Sequence, residues 1–74
     1  METMTDWNRR GRQAYVTQPM RGSANLTRIE AERRVLLALG SEFLRVPMPQ
    51  RDAAISDATQ GFLELHRELG GTMV

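Results

Sequence analysis

The chain contains no cysteine. No disulfide can staple it, and no thiolate is present to hold a metal or attack a substrate. With a single histidine, His66, the usual clustered zinc sites are excluded. Lysine is also missing, so all ten basic residues are arginine. The longest aliphatic run, Val35-Leu36-Leu37-Ala38-Leu39, cannot span the ~30 Å of a bilayer's hydrocarbon core. The opening segment METMTDWNRRGR has no apolar stretch of the secretory kind. A soluble, cytoplasmic protein is therefore expected. The glycines are too scattered to build a Walker or dinucleotide phosphate loop.

What is present fits one small domain: 74 residues, of which 41% are hydrophobic and 26% charged. A chain this short buries only roughly 60% of its unfolded surface. Without staples, such domains often gain stability by associating. Net charge is +1, which points to neither nucleic acid nor membrane. Its distribution is uneven. Residues 1–25 carry four arginines against two acids, and residues 26–74 carry six against seven.

Residues 1–25 read as a basic N-terminal arm. Gly11, Pro19, Gly22 and Ser23 interrupt it, and no apolar period emerges. A first helix is expected over about 26–46. Thr27-Arg28-Ile29-Glu30 has the spacing of a capping box at its start. Ile29, Leu36, Leu39, Phe43 and Val46 recur at helical spacing as its core stripe. Val46-Pro47-Met48-Pro49 ends it, because proline disfavours the helical conformation in the residue before it. Pro49 suits the first turn of a second helix over about 49–69, with Asp52 in that turn. Ile55, Ala58, Phe62, Leu65 and Leu69 follow at intervals of 3, 4, 3 and 4, a seam-like repeat. Gly70-Gly71 supplies the stop, leaving residues 72–74 as a tail. Gly40 and Gly61 lie inside helices, where each costs up to about 1 kcal/mol relative to alanine. Each either permits a close approach or is a tolerated defect.

The expected fold is all-α: an antiparallel two-helix hairpin with an N-terminal arm, completed by homo-oligomerisation. One seam between two helices leaves Leu37, Leu44 and Leu63 partly exposed. Either the arm folds back with Trp7 or Tyr15 over them, or copies pair.

No constellation for catalysis is visible. His66 has no serine or acid arranged around it, and it reads as a structural residue at the hairpin's edge. Glu30 and Glu32 point about 200° apart on a helix, so they form no working dyad. A non-enzymatic protein with no cofactor and no metal is expected. The basic arm is the best binding candidate. Arg9, Arg12 and Tyr15 combine a charge that suits phosphate with a face that suits a base. Arg28, at the start of the first helix, can complete such a site from a rigid element. A solvated tail is the plain alternative. Sequence-specific DNA binding is not expected, since Asp52, Asp57, Glu64 and Glu68 make the second helix repel phosphate. A wide apolar helix face with charged edges also suits a protein target, whose groove it can occupy.

The layout resembles a family. Arg9-Arg10 and Tyr15 precede Pro19, a helix follows from Leu26 to Leu37, and Arg51-Asp52 opens the second helix after a proline turn. This pattern is similar to the small helical-hairpin proteins by which phages sequester cyclic-nucleotide immune signals, the anti-CBASS and anti-Thoeris sponges. The resemblance implies a symmetric oligomer that binds nucleotides between hairpins without catalysis. Three functions are thus carried forward: a sponge for a small anionic nucleotide, a protein-binding inhibitor or adaptor acting on a host protein, and a nucleic-acid-binding accessory factor.

Overall fold

The structure, a computed structural model, describes residues 6–17 and 25–73. Three helices make up most of it: α1 (Asp6–Thr17), α2 (Arg28–Phe43) and α3 (Met48–Glu68). Two short extended pieces, β1 (Asn25–Leu26) and β2 (Thr72–Met73), pair in parallel with Asn25 opposite Thr72. The protein is all-α apart from this two-residue ladder.

Much of α1 falls where an arm was expected, and that expectation is corrected. Its inward positions are Trp7, Gly11, Ala14 and Tyr15. They have helical spacing, but two of the four are glycine and alanine, which barely register in an apolar count. Pro19, Arg21, Gly22 and Ser23 lie outside the described residues.

The core of α1 is a close crossing with α3. A Cβ added at Gly11 would stand 1.8 Å from the Ala58 carbonyl oxygen, and one at Gly61 would stand 2.0 Å from that of Asn8. No side chain fits at either place, so the two glycines let the backbones touch. Beyond the crossing, Tyr15 meets Phe62 edge-on with centroids 5.0 Å apart. Trp7 stacks on Phe43 of α2 at 4.8 Å, which ties α1 to the second helix as well.

The start of α2 is set by Thr27, whose side chain accepts from the Glu30 backbone N–H at 3.0 Å. This is half of the expected capping box. The Glu30 carboxylate pairs instead with Arg34 at 3.1 Å. Leu26, placed inside the helix by the sequence pattern, is extended and fully buried in β1. The buried row on α2 is Ala31, Val35, Leu39 and Phe43, one residue every four. Of the expected stripe, Leu39 and Phe43 are buried and Val46 packs against the core, whereas Ile29 is 72% exposed and Leu36 is 40% exposed. Two helices pack on the α2 side that carries Leu39 and Phe43, and Ala31 and Val35 extend that row. Ile29 and Leu36 are turned away from it.

Between α2 and α3, Arg51 reaches back from the first turn of α3 and donates to the Val46 carbonyl at 3.0 Å. It thereby ties the start of α3 to the turn that follows α2. Pro49 lies in the opening turn of α3, as its missing N–H favours. Because α3 begins at Met48, Asp52 falls one residue past the first turn. Leu63 is buried rather than exposed, and Leu69 is exposed rather than in the core. Gly70 has φ +89°, the left-handed conformation that stops a helix. Thr72 and Met73 are therefore not a tail but the partner of β1.

Candidate functional site

The four residues expected to bind an anion are dispersed. Tyr15 is buried, and its hydroxyl lies 2.9 Å from His66 Nδ1. His66 Nε2 lies 3.0 Å from the Thr72 carbonyl oxygen. A carbonyl can only accept, so Nε2 carries a proton, and in the neutral ring Nδ1 accepts from Tyr15. The imidazole is thus a strut joining α1, α3 and β2. It is 2% exposed with both nitrogens engaged, so it offers no free nitrogen to a substrate.

Arg12 is held by carboxylates of α3. It donates to Glu64 at 3.0 Å and to Glu68 at 2.8 Å. The hydrogen bond to Glu68 and then that to Glu64 raise the guanidinium's pKa above its ordinary value, against some desolvation. In return, Arg12 holds the Glu68 carboxyl below the usual carboxylate range. Glu64 is lowered too, first by the Gln60 amide and then by Arg12 and Asn8. Arg28 donates to Ser56 at 3.1 Å, and Arg9 is on the exposed side of α1. Arg12 and Tyr15 share the α1–α3 seam. Their polar groups bond within the fold.

A second cationic group sits between α1 and α2. The Arg10 guanidinium lies 4.7 Å from the Trp7 ring centroid, 3.2 Å from Asp6, and in an ion pair with Glu42. Beside it runs an open groove of about 460 Å³ lined by Gln13, Ala14, Thr17, Ala38 and Leu39. Its one cation is already flanked by two carboxylates, so the groove has no charge to offer an anion.

The largest unsatisfied feature is apolar. On the outer side of α2, Ile29, Leu36, Leu37 and Leu44 are bare, and Leu37 is 76% exposed. A shallow depression of about 370 Å³ lies among Ile29, Glu32, Arg33, Leu36 and Leu37. Met48, just beyond the turn, extends the exposed apolar surface. Exposure of Leu37 and Leu44 was legible in the sequence. That of Ile29 was not, since it shares helical spacing with Leu36 and Phe43.

No group of three or more histidine, cysteine or acidic side chains suited to a metal occurs among the described residues. No helix among them is long and apolar enough to cross a membrane. No protein-family model, curated protein or solved structure matches the chain.

Proposed function

We propose that this chain is a non-enzymatic protein-binding module that works through the outer face of α2. α3 packs on the inner side of α2, and α1 packs on both of them. The observation that carries this reading is the row Ile29, Leu36, Leu37 and Leu44, each exposed on a helix whose opposite side is fully packed. Isolated exposed leucines are ordinary, whereas a contiguous apolar patch of several hundred Å² marks an interaction site. The inhibitor or adaptor function draws support from this face, and so does self-association. The nucleotide-sponge function has less support, because Arg12 and Tyr15 are engaged within the fold.

The test is a pair of surface variants, Leu37→Glu and Leu44→Glu. Both side chains point to solvent, so helicity and thermal midpoint should hold. Binding to any protein partner, a second copy included, should fall at least tenfold, about 1.4 kcal/mol. Calorimetry with a cyclic dinucleotide is the opposing arm. Saturable binding that survives both variants and is lost on Arg9→Ala would overturn the proposal and move the function to α1.

A further inference from the structure

Gly40 is the third helix-interior glycine, and it differs from the other two. Gly11 and Gly61 are required by the α1–α3 crossing, but a Cβ added at Gly40 meets nothing within 4 Å among the described residues. Inside the chain, therefore, Gly40 costs α2 up to about 1 kcal/mol and returns no contact. It lies in the exposed row. Arg33, Leu37, Gly40 and Leu44 follow at intervals of 4, 3 and 4, the spacing of a seam that faces another helix.

The row is complementary to its own reverse. Run antiparallel against a copy, it sets Leu37 opposite Gly40, Gly40 opposite Leu37, and Arg33 opposite Leu44 at both ends. Each large side chain meets a small residue or a flexible stem, the pairing that fills space between helices. A two-fold axis requires this reciprocity. Charge does not oppose it, because Glu32 and Arg33 give the depression one charge of each sign. Ile29, Leu36, Leu37 and Leu44 are bare by 40–76%. A specific interface buries roughly 1,200 Å² or more in total, so a pair has to cover this row on both copies.

We infer that a second copy of this chain covers the face, with the two α2 helices antiparallel and Leu37 of each seated over Gly40 of the other. This inference rests on the binding reading above and names its partner.

Equilibrium sedimentation over a concentration series should show a monomer–dimer equilibrium. Gly40→Leu should weaken it at least tenfold while leaving the monomer helical, since no neighbour inside the chain is displaced. The absence of cysteine permits a direct test of direction. Arg33→Cys and Leu44→Cys chains, mixed under oxidising conditions, should cross-link to each other. Each alone should not, because the antiparallel register separates identical positions by roughly 16 Å along the axis, beyond disulfide reach. Cross-linking of Leu44→Cys to itself would overturn the register. A monomer at all concentrations would overturn the second copy; the broader reading survives if Leu37→Glu still abolishes binding to another protein. A dimer unaffected by both Gly40→Leu and Leu37→Glu would place the contact elsewhere and remove both.

Discussion

Gly61→Ala sets two effects of opposite sign against each other. Helix propensity alone favours the change by about 0.8–1 kcal/mol, since alanine is the best helix former and glycine among the worst. Packing opposes it. The new methyl would stand 2.0 Å from the Asn8 carbonyl oxygen and 2.9 Å from its carbon. Ordinary contact begins near 3.4 Å, so the backbones must part by more than an ångström. Both atoms are main chain, so no side-chain rotamer relieves the clash. Moving α1 outward also loosens the edge-on contact of Tyr15 with Phe62 and the Arg12 bridges to α3. Overpacking of well-filled interiors costs about 1–3 kcal/mol and sometimes more. A backbone–backbone clash belongs at the upper end, so packing should win by about 2 kcal/mol. For a domain of this size, that lowers the thermal midpoint by roughly 8–16 °C. The assay is thermal and urea unfolding followed by circular dichroism, at a concentration low enough to keep the chain monomeric. Gly40→Ala is the internal control. A Cβ there meets no described residue within 4 Å, so propensity should act alone and raise stability by about 0.5–1 kcal/mol. A Gly61→Ala variant as stable as the parent would refute the close crossing and with it the placement of α1.

Tyr15→Phe removes the donor to His66 Nδ1 and leaves a buried nitrogen without its partner; urea unfolding should show a loss of about 1–3 kcal/mol. Tyr15→Ala should cost about 3–5 kcal/mol, as deletion of a buried ring does. Glu64 and Glu68 have carboxyls lowered by the fold, so their contribution is present above the unfolded carboxylate pKa of about 4.3 and is lost as pH falls through the lower folded values. Acid titration followed by Trp7 fluorescence should show α1 loosening in that range, and Arg12→Ala should flatten the response. Arg51→Ala should lower stability by about 1 kcal/mol, read by urea unfolding, because it removes the donor to the Val46 carbonyl in the turn after α2.

The two long helices were legible because their signals are local. Thr27 at an N-cap, prolines between helices and paired glycines at an end each act within a few residues. The phase of α2 was not legible. Ile29, Leu36, Leu39 and Phe43 all satisfy a helical period, and only the position of α1 decides which of them face inward. The first helix was missed for a related reason. Gly11 reads as a helix breaker in isolation and becomes a requirement only once Ala58 is known to lie against it. Arg12 and Tyr15 were expected to bind a ligand, and the sequence did not show that their polar groups engage His66, Glu64 and Glu68, some 50 residues away. The outer face of α2 stood half revealed, in the surplus of leucines over what one seam can bury.

The bonds that fasten α1 to α3 span 51 to 56 residues of a 74-residue chain, whereas α2 and α3 are joined by a turn clipped by a residue five positions away. Chain closure over long separations is entropically expensive and comes late, while local contacts form early. Contacts across the α2–α3 turn are therefore expected to form before those that dock α1. Changes at the glycine crossing should then speed unfolding far more than they slow folding. Departure of α1 is also the natural first opening of the native state, so Trp7 and Tyr15 would exchange with solvent before any bond of the α2–α3 turn is broken.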